Sequence, residues 1–152
     1  MPGRGGARRY ACGALHWLAQ PIAQASLLLR AGALEVLLPL LRPGNEGATT
    51  PAGRANAVAA VWSCVHASPV ARARLAAQPG VLADLLGVVL GGDVRAAPLA
   101  MCLLRDISRD RGSHLPLLRA GAAVTLTDLL AAAPGGPPPP RGGPLPSAAT
   151  RE

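Results

Sequence analysis

The stretches RAGALEVLLPLL (Arg30–Leu41) and RAGAAVTLTDLL (Arg119–Leu130) agree at seven of twelve positions. A third, QPGVLADLLGVVL (Gln78–Leu90), keeps the glycine and the leucines. Nothing else in the chain limits its fold as tightly, because copies of one motif at a near-fixed interval must each pack on their neighbours in the same way. The marker glycines Gly32, Gly80 and Gly121 are separated by 48 and 41 residues. The longer interval contains PGNEGATTPAG (Pro43–Gly53), a Gly/Pro/Thr loop whose removal brings the period close to the shorter one.

Each marker glycine stands between two apolar runs. Before it come IAQASLLLRA, VARARLAAQ and SHLPLLRA, and after it come leucines at helical spacing such as Leu34, Leu37, Leu38 and Leu41. A residue without Cβ can end one short helix and turn the chain sharply into the next. The rest of each period predicts a longer third helix: ARRYACGALHWLAQ, RANAVAAVWSCVHA and DVRAAPLAMCLLRDIS. Asp93 is placed to cap the last of these and Pro98 to mark a first turn within it, while Pro21 and Pro69 open the short helices that follow.

Composition agrees with the period. Half of the residues are apolar, yet there is no Phe, and Tyr10, Trp17 and Trp62 are the only aromatics. Leu, Val and Ala fill such a core, Ala is the best helix former, and strand formers are scarce, so the expected class is all-α. In an aliphatic helical array Trp62 is expected to be core, while Trp17 is open between core and surface.

These residues resemble the armadillo repeat, in which a long helix and a Ser/Asp-Pro turn lead to a short helix, an Ala-Gly-Ala corner and a Leu-x-x-Leu-Leu helix. VHASPVAR (Val65–Arg72) is similar to the turn, RAGAL and RAGAA to the corner. The resemblance covers about residues 7–133 and implies a right-handed α-solenoid of two complete and two partial repeats. Residues 1–6 then read as a flexible N-terminus and 134–152 as a Pro/Gly-rich disordered tail or linker. RANAVAAV also resembles the start of the long helix in plant U-box ligases with armadillo repeats. That likeness implies, as an alternative, the substrate-binding part of a ubiquitin ligase whose catalytic domain this chain does not contain.

In the family's order the sequence is out of phase at both ends. Residues 7–20 form only the last helix of a repeat, and 112–133 only the first two of another. Each end is expected to leave bare a helix face that a neighbour normally covers, at about 1.5–3 kcal/mol per large aliphatic residue. The expectation is that the chain is a piece of a longer solenoid, or that its ends bind a partner or, in self-association, another copy.

Catalytic patterns are missing. His16, His66 and His114 fall in three different repeats, and the eight acidic residues are scattered. Cys12 and His16, four apart on one helix, supply two metal ligands where a zinc site needs four. The glycines of GRGG and PGGPPPPRGG lack the strand–loop–helix context of a phosphate loop. No metal and no cofactor is therefore expected, and the chain reads as a non-enzyme.

The net charge of +7 rests on arginine alone, since there is no Lys. With Lys and Phe both absent and Ala, Gly and Pro abundant, this matches G/C-biased coding. The charge is spread rather than clustered, so nucleic acid is not the expected partner. No run reaches the ~18 apolar residues of a membrane span. Arg4, Arg8 and Arg9 ahead of an apolar segment ending in AQA also fit a targeting peptide, but the repeat explains that segment better. Three widely spaced cysteines, Cys12, Cys64 and Cys102, point to a reducing compartment, cytoplasm or nucleus.

What remains is a surface for other proteins. In armadillo proteins the long helices line a concave groove whose asparagine ladder holds an extended peptide. By resemblance the ladder falls on Trp17, Cys64 (or Ser63, one residue away) and Asp106. None is Asn, the side chain that both donates to and accepts from a peptide amide. The candidate recognition face is Trp17, Gln20, Trp62, Ser63, Arg105, Asp106 and Arg109, Trp and Arg being frequent interface anchors. The cluster Arg105, Asp106, Arg109, Asp110, Arg111 can receive acidic segments or pair with itself.

Overall fold

The computed structural model describes residues 4–42 and 50–132. Its regular elements are all helices: α1 (Arg4–Leu18), α2 (Ile22–Arg30), α3 (Ala33–Leu37), α4 (Pro51–Val65), α5 (Pro69–Ala76), α6 (Val81–Leu90), α7 (Ala96–Ser108), α8 (His114–Arg119) and α9 (Ala122–Ala131). Short 3-10 turns over Leu38–Leu41 and Arg111–Ser113 extend α3 and precede α8. The all-α class is thus observed among the described residues. The tail and most of the loop after α3 lie outside them.

The corners are built as their glycines require. Gly32, Gly80 and Gly121 have φ of 82°, 80° and 87° and stand immediately before α3, α6 and α9. No residue other than glycine among those described has a positive φ. The left-handed conformation costs an L-residue with a Cβ about 1–2 kcal/mol, which is why the motif keeps Gly there. Gly92, at φ 67°, is a fourth such position that the repeat did not mark. α3 gives way to a 3-10 turn because Pro39 has no N–H for a helical bond.

Helix starts follow local chemistry. Ser68 accepts a hydrogen bond from the Ala71 N–H at 3.2 Å, and Pro69 takes the first helical position. Pro21 stands one place earlier, as the extended residue just before α2. Asp93 Oδ1 accepts from the Arg95 and Ala96 amides at 2.9 and 3.2 Å, and Pro98 lies in the first turn of α7. Two boundaries need correction. α4 begins at Pro51 inside the predicted loop, because Thr50 accepts from the Gly53 N–H at 3.0 Å with proline next to it. α1 begins at Arg4 rather than after residue 6, no proline interrupting the chain from there to Leu18.

α4 is the centre of the molecule. It packs between α1 and α7, with α2, α3 and the Leu38–Leu41 turn also against it. Every residue from Ala57 to Val61 is buried, so this middle stretch of the helix is apolar all round, as an internal segment must be. The RANAVAAV phrase is accounted for by that packing, small residues letting neighbours approach. α1 does approach closely: a Cβ on Gly13 would come within 3.3 Å of Asn56 Nδ2, whose amide donates to Arg9 O at 3.0 Å.

The next layer repeats the arrangement one step on, α5 and α6 packing against α7, and α9 against α6. Val58, Val61 and Val65 of α4 match Ala100, Leu103 and Ile107 of α7, and all six are fully buried. Leu34, Leu37, Leu38 and Leu41, picked out by their spacing, are buried as expected.

Candidate functional site

The three long helices α1, α4 and α7 lie side by side, and polar side chains reach from each to the next. Between α1 and α4 the bridge is His16, Gln20 and Ser63. His16 Nδ1 is 2.8 Å from Ser63 Oγ and 3.3 Å from Ala59 O, and Gln20 Nε2 donates to Ser63 Oγ at 3.3 Å. Ser63 itself is buried beneath these partners.

Between α4 and α7 the bridge is stronger. Trp62 Nε1 donates to Asp106 Oδ2 at 2.8 Å, while Arg105 Nε and Nη2 donate to Oδ1 at 3.3 and 3.2 Å. Burial alone would raise the Asp106 carboxyl. The Trp62 and Arg105 hydrogen bonds outweigh it, with the charges of Arg105 and Arg72, and hold the group below the ordinary carboxylate range. The ring of His66 is 5.7 Å from that of Trp62, one turn along α4.

A third bridge joins α5 to the end of α7. Arg72 donates to Asp110 Oδ2 at 2.8 Å and Oδ1 at 3.4 Å, and also to the His66 carbonyl oxygen. The Arg72 hydrogen bond lowers the Asp110 carboxyl, burial opposes it, and the Arg72 and Arg109 charges add to the lowering. The Arg/Asp cluster therefore splits: Asp106 serves Trp62, and Asp110 serves Arg72 from another helix.

Of the predicted residues, Gln20 meets Ser63 directly, with His16 on the same hydroxyl, and Trp62, Asp106 and Arg105 meet directly. Two do not join them. Arg109 is the exposed residue that closes α7. Trp17, left open between core and surface by the sequence, is exposed, its ring 5.3 Å from His16. It cannot be core where it stands, because no described element packs over its side of α1. Trp62 is half-buried. Of the two alternatives on α4, Ser63 carries the polar bridge, whereas Cys64 is buried and its thiol is pushed up by that burial.

Sequence reasoning missed His16, His66 and Arg72 as parts of this face. The i, i+4 pairing of His16 with Gln20 was a usable signal. Arg72 gave none, its carboxylate partner lying 38 residues away.

Ser63 and His16 are residue types that can make a nucleophile and its base. Here the hydroxyl is buried and already shared between His16 and Gln20, leaving no room for a substrate at Oγ. Among the described residues no three His, Cys, Asp or Glu side chains cluster as metal ligands. Cys12 is buried with its thiol raised by burial, and His16 is turned to Ser63. All three cysteines are free. No single helix among the described residues is long and apolar enough to cross a membrane.

Cavities with mainly apolar walls lie elsewhere. One of about 380 Å³ opens between α1 and the α3 segment, and one of about 250 Å³ among α6, α7, α8 and α9. No protein-family model matches the chain, and neither a curated protein nor a solved structure shows significant similarity to it.

Proposed function

We propose that this chain is a non-catalytic protein-binding scaffold of the armadillo type, a right-handed α-solenoid in which α2–α4 and α5–α7 are complete repeats. α1 and α8–α9 are the partial ones. The recognition face is the side of α1, α4 and α7 that carries Gln20, Trp62 and Arg105. The observation that supports this most is the Trp62–Asp106–Arg105 unit. It holds a half-buried indole and an exposed guanidinium in fixed positions across two helices. Pre-set aromatic and arginine groups are what anchor an interface, since little side-chain freedom is lost on binding.

The partner is a protein segment bearing acidic groups. Arg105 keeps donors beyond those used on Asp106, Arg109 makes no carboxylate bridge among the described residues, and His66 lies alongside. With Trp, Ser and Asp in place of a ladder of Asn, contact comes from stacking and charge rather than from an amide clamp. Free, mostly buried cysteines suit a reducing compartment, cytoplasm or nucleus.

Affinity capture with the wild-type chain beside Arg105→Glu/Arg109→Glu tests the reading. Partners that bind this face are lost from the double variant and retained by Arg30→Glu/Arg74→Glu on the short helices α2 and α5. An identical set of partners on all three proteins would defeat it.

A further inference from the structure

The turn between α4 and α5 holds Ser68–Pro69, and Ser68 is the one serine of the chain that proline follows. The turn lies in the interior of the sequence, with described helices on both sides.

Its shape is that of a segment another protein can grip. His66, Ala67, Pro69 and Val70 are all exposed. Ser68 is already extended, at φ −120° and ψ 108°, and belongs to neither helix. Its Oγ accepts one hydrogen bond, from the Ala71 N–H at 3.2 Å, and its own proton has no acceptor among the described residues. Pro69 has no N–H, so a protein that binds the turn need supply no acceptor there. An exposed, extended serine followed by such a residue is what a proline-directed kinase takes.

A cation stands at the same turn. Arg72 donates through Nη1 to the His66 carbonyl oxygen, two residues before Ser68, while its Nε donates to Asp110 Oδ2 at 2.8 Å. Thr50–Pro51 is the other hydroxyl–proline pair, with Arg54 at the same offset. There no described contact brings the arginine back to the turn, and Arg54 Nε is buried without a hydrogen-bond partner.

We propose that Ser68 is a phosphorylation site for a proline-directed protein kinase, and that its phosphate takes Arg72 from Asp110. ATP is the phosphoryl donor. Ser68 Oγ attacks the γ-phosphorus, and an O–P bond forms as the bond to the bridging oxygen breaks. ADP leaves, and the hydroxyl proton passes to the kinase's catalytic carboxylate. The phosphate carries about −1.5 to −2 charge and three acceptor oxygens, against the single charge of the Asp110 carboxylate, so it is the stronger partner for a guanidinium. A tie between α5 and α7 is exchanged for one inside the α5 turn, and the end of α7 is released. None of this depends on what the α1–α4–α7 face binds.

The full, folded chain incubated with ATP and a mitogen-activated protein kinase tests the site, with fragmentation mass spectrometry locating the phosphate. Wild type should carry it on Ser68, and Pro69→Ala, which keeps the hydroxyl, should not; far-UV circular dichroism checks that this variant remains helical. Carbon-13 NMR of the Asp110 carboxyl, assigned with Asp110→Asn, then reads the exchange. The Arg72 hydrogen bond is the largest cause of that group's lowering, so phosphorylation should return its titration toward the ordinary value of about 3.9. In Arg72→Gln, where that bond is already lost, phosphate should move it far less. A folded wild-type chain that takes no phosphate at Ser68, or takes it equally in Pro69→Ala, overturns the inference. A phosphorylated chain whose Asp110 titrates as before overturns it too, since Arg72 would then have stayed where it was.

Discussion

Replacing Gly80 by alanine isolates the corner geometry, because a Cβ there meets no atom within 4 Å. Crowding is therefore not part of the cost. What remains is the backbone, held at φ 80°. Alanine pays about 1–2 kcal/mol to adopt that conformation. Against this, alanine loses less chain entropy on folding than glycine, which returns about 0.4–1 kcal/mol. The net expectation is a destabilisation of up to about 1.6 kcal/mol, centred on about 0.8 kcal/mol, or about 3 °C in Tm for a domain of this size. Gly112 is the control: its Cβ would also meet open space, but its φ is not in the left-handed range. Gly112→Ala should stabilise by up to about 1 kcal/mol. Urea unfolding followed at 222 nm reads both variants, and the two signs must be opposite. A Gly80→Ala protein as stable as Gly112→Ala would refute the account of the corners, and with it the reason the motif recurs.

Other outcomes follow from burial and charge. Leu85→Ala, at a fully buried site on α6, should cost about 2–5 kcal/mol, while Leu130→Ala on the bare face of α9 should change monomer stability little; thermal melts at low protein concentration compare them. Asp106 has a carboxyl lowered on folding, so it stabilises the native state above the ordinary value of about 3.9 and that contribution fades as pH falls through the lower folded value. Asp106→Asn should flatten the acid side of a stability–pH curve, with the lowered Asp110 carboxyl leaving a residual slope of the same sign. In the native state a thiol reagent should modify Cys102 first, since Cys12 and Cys64 are buried with thiols raised by that burial; mass spectrometry of a time course gives the order.

The fold was legible where one physical requirement recurred. Three glycines at matched positions announced three left-handed corners, and the leucines after the first of them announced a buried face. Boundaries were less legible because capping is local and easily hidden in a polar run. Thr50 looks like loop until its hydroxyl is seen on the Gly53 amide. The candidate face was partly legible: residue type pointed to Trp62, Asp106 and Arg105, but only packing reveals that they bond to one another. Trp17 was left open between core and surface for a related reason. Residue type gives the preference of tryptophan for burial, whereas the neighbour that would satisfy it is a matter of which helices are present. Arg72 was out of reach, because an ion pair across helices leaves no mark on the local sequence.

The scaffold reading rests on which face meets the partner, and site-specific photocrosslinking reads that directly. A photoreactive residue at His66, beside Trp62, should capture the bound protein, and one at Arg74 on α5 should not. Capture from Arg74 with none from His66 would contradict the account, since the partner would then lie on the short helices and leave the α1–α4–α7 face empty.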